Sequence, residues 1–386
     1  MKNLWNNFKQ KINLVKDLGY IGSSNIFGIL ITSSFWFYLA NELKVEEFGE
    51  IQYYLGIAGI AYYASLISTS NTITVYAAKK IKINSTLFFI SIIASFVSLL
   101  AIFVMIQKID VGILVIGYII NELSLSYLLG KKLYSKYSKN ILIQKISSII
   151  FGFSFYYLFG VEGIIFGLAL SYIHFIWIIY KGFKESKISF SSLKPYKDFI
   201  TNNYLEGLVN GFRAHIDKIV ISPMIGFVVL GNYSLAIQLF TVLIMPSEIV
   251  LKYIIPQDAS GISKIELKKI IVLISIGIMI FGIVVLPVFI TNFFPKYLDA
   301  IEAIKILSIS VIPTTIGYIF VSKLLSLEKS RFILYGRMIS ITIIILSLVI
   351  LTKPFGITGV ATSYVLSTTS QTLFFIFVYK KFIVKN

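Results

Sequence analysis

Residues 202–218 read NNYLEGLVNGFRAHIDK. The stretch places a Glu, an Arg, an Asp, a Lys and three Asn inside a chain of 386 residues that is 57% hydrophobic. Its polar residues are not scattered. Asn203, Glu206, Asn210, Arg213 and Asp217 follow one another at spacings 3, 4, 3 and 4. On a helix they cover an arc of about 60–80°. Leu205, Leu208, Phe212 and Ile219 take the opposite side. Whether this segment is a loop or a membrane-crossing helix decides the topology of everything after it.

Composition sets the class. Charged residues make up 14% of the chain, against about 25% in soluble domains. Mean hydropathy is +0.85. A soluble fold could not bury that much apolar surface, so the chain reads as an all-α polytopic membrane protein. There is no Cys, which removes disulfides, thiol chemistry and cysteine metal sites. His174 and His215 stand apart, so no metal site is expected. The net charge of +17 would point to nucleic acid in a soluble domain; here its distribution explains it.

Apolar runs of about 20 residues fall near 19–40, 53–78, 83–106, 111–130, 141–159, 163–180, 199–222, 231–255, 270–290, 303–326, 333–352 and 357–379, which makes twelve expected transmembrane helices. With the N-terminus inside, 27 Lys and Arg fall in cytoplasmic segments or at the inner ends of spans, Lys252, Lys323 and Arg337 among the latter, and four in outer loops. That bias sets the orientation, with both termini cytoplasmic, and accounts for the basic charge without nucleic acid. If 199–222 failed to cross, Lys264, Lys268, Lys269, Lys329 and Arg331 would face outward. The opening stretch is therefore expected to span.

The N-terminus lacks the apolar core of a cleavable signal. Leu4, Phe8, Ile12 and Val15 form one helical stripe over 1–18. The segment is either an interfacial helix or a disordered basic tail.

The basic connection 181–198 divides the spans six and six, giving an N-terminal lobe over 1–190 and a C-terminal lobe over 191–386. The halves echo each other. FGVEGIIFGLALSY at 159–172 matches FGITGVATSY at 355–364, and FGEIQYYL at 48–55 matches LGNYSLAI at 230–237. Two echoes in the same order point to duplication. Six spans per copy keep both copies in one orientation, as in parallel-repeat transporters, with substrate expected between the halves near the midplane.

Deep charges on the seventh span each cost about 2.5–3.5 kcal/mol to insert. Either an internal salt-bridge ladder holds them, with Arg213 and Asp217 as an i,i+4 pair, or the face recognises an anion, Arg213 offering its planar fork to phosphate oxygens. Asn121 and Glu122 in the fourth span are either a second cavity contribution or a buried pair. His174 is either a packing residue or a proton relay. Pro246, Pro287 and Pro313 are expected to interrupt spans eight, nine and ten. Glu248 and Lys252 read as structural.

RAHIDKIVISPMIGFVVLGNYSLAIQLF at 213–240 resembles the central signature of polysaccharide (O-antigen or capsule repeat-unit) flippases of the MOP superfamily, Wzx-type. Asp217, Gly226, Gly231, Tyr233 and Ala236 stand at its marked positions. FFPKYLDAIEAIKILSISVIP at 293–313, the FGITGVA turn and FGEIQYY at 48–54 are also similar to that family. The resemblance implies a MOP/MATE-like bundle of two six-helix lobes in the cytoplasmic membrane. It implies a non-enzymatic flippase that moves an undecaprenyl-diphosphate-linked oligosaccharide to the outer leaflet by alternating access. Partners would be that lipid-linked substrate, membrane lipid and other glycan-assembly proteins, with no organic cofactor and with H+ or Na+ as candidate coupling ions. Arg213, Asn210, Lys218 and Asn203 are the candidate substrate ligands. Glu206, Asp217 and Glu122 are the candidates for ion coupling. A drug exporter of the same fold is the alternative. A glycan polymerase ranks below both, because no outer loop is long enough to carry catalytic groups.

Overall fold

The computed structural model describes residues 2–67, 69–259, 265–327 and 329–382. Among them it contains fourteen α-helical segments, the last of which holds two helices joined at Gly356. The first eight are α1 (Lys2–Glu42), α2 (Val45–Ser65), α3 (Ser70–Ala78), α4 (Asn84–Ile106), α5 (Ile109–Gly130), α6 (Tyr134–Phe159), α7 (Gly163–Leu170) and α8 (Ile176–Phe183). After a basic 3-10 segment come α9 (Lys197–Ile225), α10 (Phe227–Ala259), α11 (Ile265–Phe293), α12 (Ala300–Ile309), α13 (Val311–Ser326) and α14 (Ser330–Phe382).

Four sequence expectations need correction. The expected span 53–78 is two helices: α2 stops at Ser65, and Thr69 caps α3 through its hydroxyl to the Thr72 amide, 3.5 Å. Hydroxyl-rich SLISTSN offers the backbone alternatives to a continuous helix. The span 303–326 likewise breaks between α12 and α13. Pro246 and Pro287 do not interrupt α10 and α11; only Pro313 stands at a break, in the first turn of α13 just after α12 ends, where its missing N–H costs nothing. The basic N-terminal segment is not a separate helix, since its backbone continues into α1; the side chains of residues 2–18 lie outside the described residues.

Among the described residues, seven helical segments are long and apolar enough to cross a membrane by length and composition. Two of them, Tyr134–Phe183 and Ser330–Lys381, hold 50 and 52 residues. A straight helix of that size would run about 75 Å, more than twice a hydrocarbon core of about 30 Å. Each is broken by a glycine in left-handed backbone, Gly160 (φ 71°) and Gly356 (φ 54°). The polar α9 is not among the seven.

The helices are inside out relative to a soluble protein. On α4, Ser91 and Ser95 are buried, while Val97, Leu100 and Val104 are 59–79% exposed. On α11, Ser275 is buried while Leu273, Val284 and Val288 are exposed. Such apolar faces are stable only against hydrocarbon. This is a multi-pass membrane protein.

The chain forms two compact units. The first comprises Met1–Trp36 and Ile57–Gly211, the second Phe37–Gly56 and Phe212–Asn386. The division does not coincide with a boundary at residue 190, because α1, α2 and α9 each contribute to both units. The first unit's core gathers Ile73, Leu87, Phe88, Ile119 and Leu123 from α3, α4 and α5. The second holds Tyr233 and Tyr297 almost fully buried, with Tyr297 edge-on to Phe48.

The sequence echoes recur as local geometry. At Gly163 a Cβ would strike the Phe155 carbonyl, and at Gly359 it would strike the Leu351 carbonyl, the equivalent neighbour in the second copy. Within the second unit, Gly49 packs on the Phe227 carbonyl and Gly231 on that of Val45. Each echo residue thus touches the counterpart of its partner's neighbour, a reciprocal crossing of α2 and α10 that needs glycine on both sides.

Candidate functional site

The signature residues around α9 and α10 are largely structural. Gly226 (φ 87°) makes the left-handed turn between the two helices. Tyr233 donates its hydroxyl to Asp217 Oδ2, 3.2 Å, and Oδ1 accepts from the Lys218 amide, 2.8 Å. Asn232 Oδ1 accepts the Ala300 amide, 3.2 Å, which satisfies an open donor at the start of α12. Ala236 is fully buried. Asp217 therefore fastens α9 to α10 from a buried position.

The polar stripe of α9 is split between two cavities. In the first unit, Asn203, Glu206 and Asn210 line a cavity of about 200 Å³ together with Glu122 of α5. Tyr62, Tyr63, Thr69 and Asn71 complete its polar wall. Ser126 donates to Glu122 Oε1, 3.3 Å, and its hydroxyl pairs with that of Ser70, 2.7 Å. The Tyr62 hydroxyl also hydrogen-bonds Glu122. Gly207 and Gly211 let α9 approach α2: a Cβ at Gly211 would overlap the Tyr63 ring, and Tyr204 donates to the Ala64 carbonyl, 2.8 Å. The lining is acidic, hydroxylic and amidic. It suits a cation or a hydroxyl-rich ligand. Asn121 does not line it.

In the second unit, Arg213 and Arg337 line a separate cavity of about 180 Å³. Tyr318, Tyr364, Thr314, Thr368 and Gln371 supply hydroxyl and amide groups, and none of the lining residues is acidic. Arg213 Nε donates to Ser340 Oγ, 2.7 Å, which pairs with Ser367, 2.6 Å. That anchor fixes one edge of the guanidinium and leaves its planar fork oriented. The nearby carboxylate, Glu248, accepts from Tyr318, 3.2 Å, one residue behind the wall. The chain has only three arginines among its 35 basic residues, and two of them meet here.

Of the two readings of the stripe, the ladder does not form: no ion pair joins Arg213 and Asp217, whose side chains bond Ser340 and Tyr233 instead. Lys218 does not join Arg213 either. Its ammonium reaches Gln52 Oε1, 2.8 Å, and its stem packs beside Gly56. His174 bonds the Ser171 carbonyl, 3.1 Å, and stacks near Phe175; it lines neither cavity. Lys252 lies outside the described side chains.

No protein-family model and no curated protein sequence matches the chain. Solved structures do. An inward-facing multidrug resistance MATE family transporter of the MOP superfamily aligns with TM-score 0.68 at 15% identity, over 92% of this chain and 94% of that one. The lipid II flippase MurJ, in an inward closed conformation, aligns with TM-score 0.72 at 12% identity, over 94% and 88%. A MOP superfamily transporter from Pyrococcus furiosus aligns with TM-score 0.54 at 14% identity, over 95% and 92%. The fold is that of the MOP-superfamily transporters.

Within this MOP fold, sequence reasoning missed Arg337, Tyr318, Tyr364 and Gln371. Arg337 was counted with the cytoplasmic cations, but α14 starts at Ser330, which carries Arg337 two turns into a helix. Its being one of three arginines in a lysine-rich chain was the available signal.

Proposed function

We propose that the protein is a flippase that carries an undecaprenyl-diphosphate-linked oligosaccharide from the inner to the outer leaflet of the cytoplasmic membrane by alternating access. The observation that carries this reading is the paired arginines, Arg213 and Arg337, in a cavity without carboxylates. Two planar forks in one small space match the oxygens of a diphosphate bidentately. The tyrosine, threonine and glutamine side chains beside them suit sugar hydroxyls. A cavity of about 180 Å³ holds a head group of roughly six waters' volume, so it is read as the diphosphate seat and not as the whole substrate site. That a lipid II flippase shares the fold agrees with a lipid-linked substrate.

Glu122 and Glu206, in the other cavity, are proposed to take the coupling H+ or Na+, with Asn203 and Asn210 as neutral ligands beside them. Both termini and the 181–198 connection are assigned to the cytoplasm by the charge bias.

The test is a null strain. Lipid-linked repeat units should accumulate on the cytoplasmic leaflet, and restoring the wild-type protein but not Arg213→Ala should clear them. Repeat units that reach the outer leaflet normally and merely stay unpolymerised would reject the flippase. The second reading, a small-molecule exporter, draws on the same acidic cavity, which suits organic cations. It requires the null strain to retain cationic dyes while its lipid-linked intermediates stay normal.

A further inference from the structure

A third cavity, of about 500 Å³, opens in the first unit where α3 and α5 end. Lys80, Lys82, Lys131 and Lys132 line it, with Asn84 and Glu185. Positive residues at this end of the helices follow from topology alone, so the question is whether this group is more than a charge bias. Three observations indicate that it is.

First, Lys80 and Lys132 both hold left-handed backbone, φ 57° and 59°. They occupy equivalent helix-ending turns. The Lys80 amide bonds the Ala77 carbonyl and the Ile81 amide that of Tyr76; the Lys132 amide bonds the Leu129 carbonyl and the Leu133 amide that of Leu128. Glycine is the usual residue at that position. Keeping lysine there costs steric strain, twice, and retains two ammonium groups at one cavity.

Second, the two turns are held side by side. A Cβ on Gly130 would strike Ala77 and the Thr74 backbone, so α3 and α5 touch where the lysines emerge. The one carboxylate, Glu185, is already engaged by Lys131 at 2.9 Å and by the Tyr127 hydroxyl. The cavity stays strongly cationic.

Third, an exposed aromatic pair stands on the helix that leads into it. Trp177 and Tyr180 on α8 stack on each other and are 62% and 48% exposed. Lys181 sits over the Trp177 ring at 5.1 Å and Lys184 over Tyr180 at 4.4 Å. Exposed aromatic residues with lysines folded over them mark the level of lipid head groups. Glu185, which lines the cavity, follows directly in the chain and ties the cavity to these residues.

We infer that this cavity binds the phosphate of an anionic phospholipid head group, such as phosphatidylglycerol, as a site separate from the arginine cavity. The volume admits a phosphoglycerol head, and the ammonium groups supply point charges that suit a phosphodiester.

The experiment uses the purified full-length protein and the midpoint of its thermal stabilisation by added phosphatidylglycerol, phosphatidylcholine or inorganic phosphate. The key variant is Lys80→Gly with Lys132→Gly. Glycine is favoured at both positions, so unfolding is not the expected outcome, and the melting temperature without lipid should be equal or higher. A juxtamembrane lysine is worth about fivefold in affinity for an anionic surface, so the double variant should shift the phosphatidylglycerol midpoint by about thirtyfold. Lys82→Gln should shift it by about fivefold. Lys194→Gln with Lys197→Gln, which removes as much charge outside the cavity, should shift it several-fold less than the cavity pair does. Equal shifts in the control and the cavity variants would overturn the site in favour of bulk electrostatics. Stabilisation by inorganic phosphate matching that by phosphatidylglycerol would overturn the lipid assignment.

Discussion

Helix α9 contributes to two cavities of opposite chemistry. Asn203, Glu206 and Asn210 join Glu122 in the first unit; Arg213 joins Arg337 in the second. The units also treat carboxylates differently. In the second, acids are fastened into the packing: Asp217 by Tyr233, Glu248 by Tyr318, and Asp258 by Lys268 and Ser322. In the first, Glu122, itself held by Ser126, lines a cavity together with Glu206. A stripe at helical spacing shows which residues share a face. It does not show which share a partner, because the neighbours change along the helix as α9 passes from one unit to the other.

The largest test of this contrast is the buried pair. Lys268 lies 2.6 and 2.7 Å from the two Asp258 oxygens, with both side chains under 8% exposed. Lys268→Met strands a buried carboxylate and should cost about 3–5 kcal/mol of stability. Adding Asp258→Leu should recover most of it. The readout is the melting temperature in detergent. No recovery in the double variant would mean that Asp258 is held for Ser322 or for function.

Next comes the arginine cavity. Loss of a charge-assisted, bidentate contact is worth roughly 1.5–3 kcal/mol, so Arg213→Ala or Arg337→Ala should lower flipping about tenfold to hundredfold at normal abundance. Arg213→Lys should fall in between, since it keeps charge and loses the fork. Adding Asp217→Ala to Arg213→Ala should rescue nothing. It should lower abundance further, because the Tyr233 hydroxyl loses its buried acceptor. Rescue would restore the ladder.

A smaller effect is expected from Glu122→Gln and Glu206→Gln. Both keep shape and remove a titratable group, so the response of transport to an imposed ion gradient should fall by about tenfold, on the order of one strong contact. Substrate affinity should be unchanged. A lost affinity with intact coupling would make the acidic cavity a ligand site.

The smallest effect belongs to the surface pair of the first unit. Lys131 and Glu185 are 31% and 37% exposed, and such pairs contribute about 0.2–1 kcal/mol. Lys131→Met should move the melting temperature far less than Lys268→Met. Similar shifts would erase the distinction between the two units' ion pairs.

By itself the sequence determined the solvent and the elements. Apolar runs, the 27 to four bias of cations and the polar face of 199–222 follow from local composition, because hydrocarbon selects side chains one residue at a time. The glycine echoes were legible too, since a left-handed turn or a backbone contact leaves few alternatives to glycine. What only the tertiary structure decided is pairing. Arg213 bonds Ser340 and shares a cavity with Arg337, both on α14 and more than a hundred residues away, and does not pair with the Asp217 one turn along its own helix. The break between α2 and α3 and the continuity of α10 and α11 through Pro246 and Pro287 were decided there as well. A buried polar group takes whichever partner the packing brings within about 3 Å, and that choice depends on neighbours that no local pattern contains.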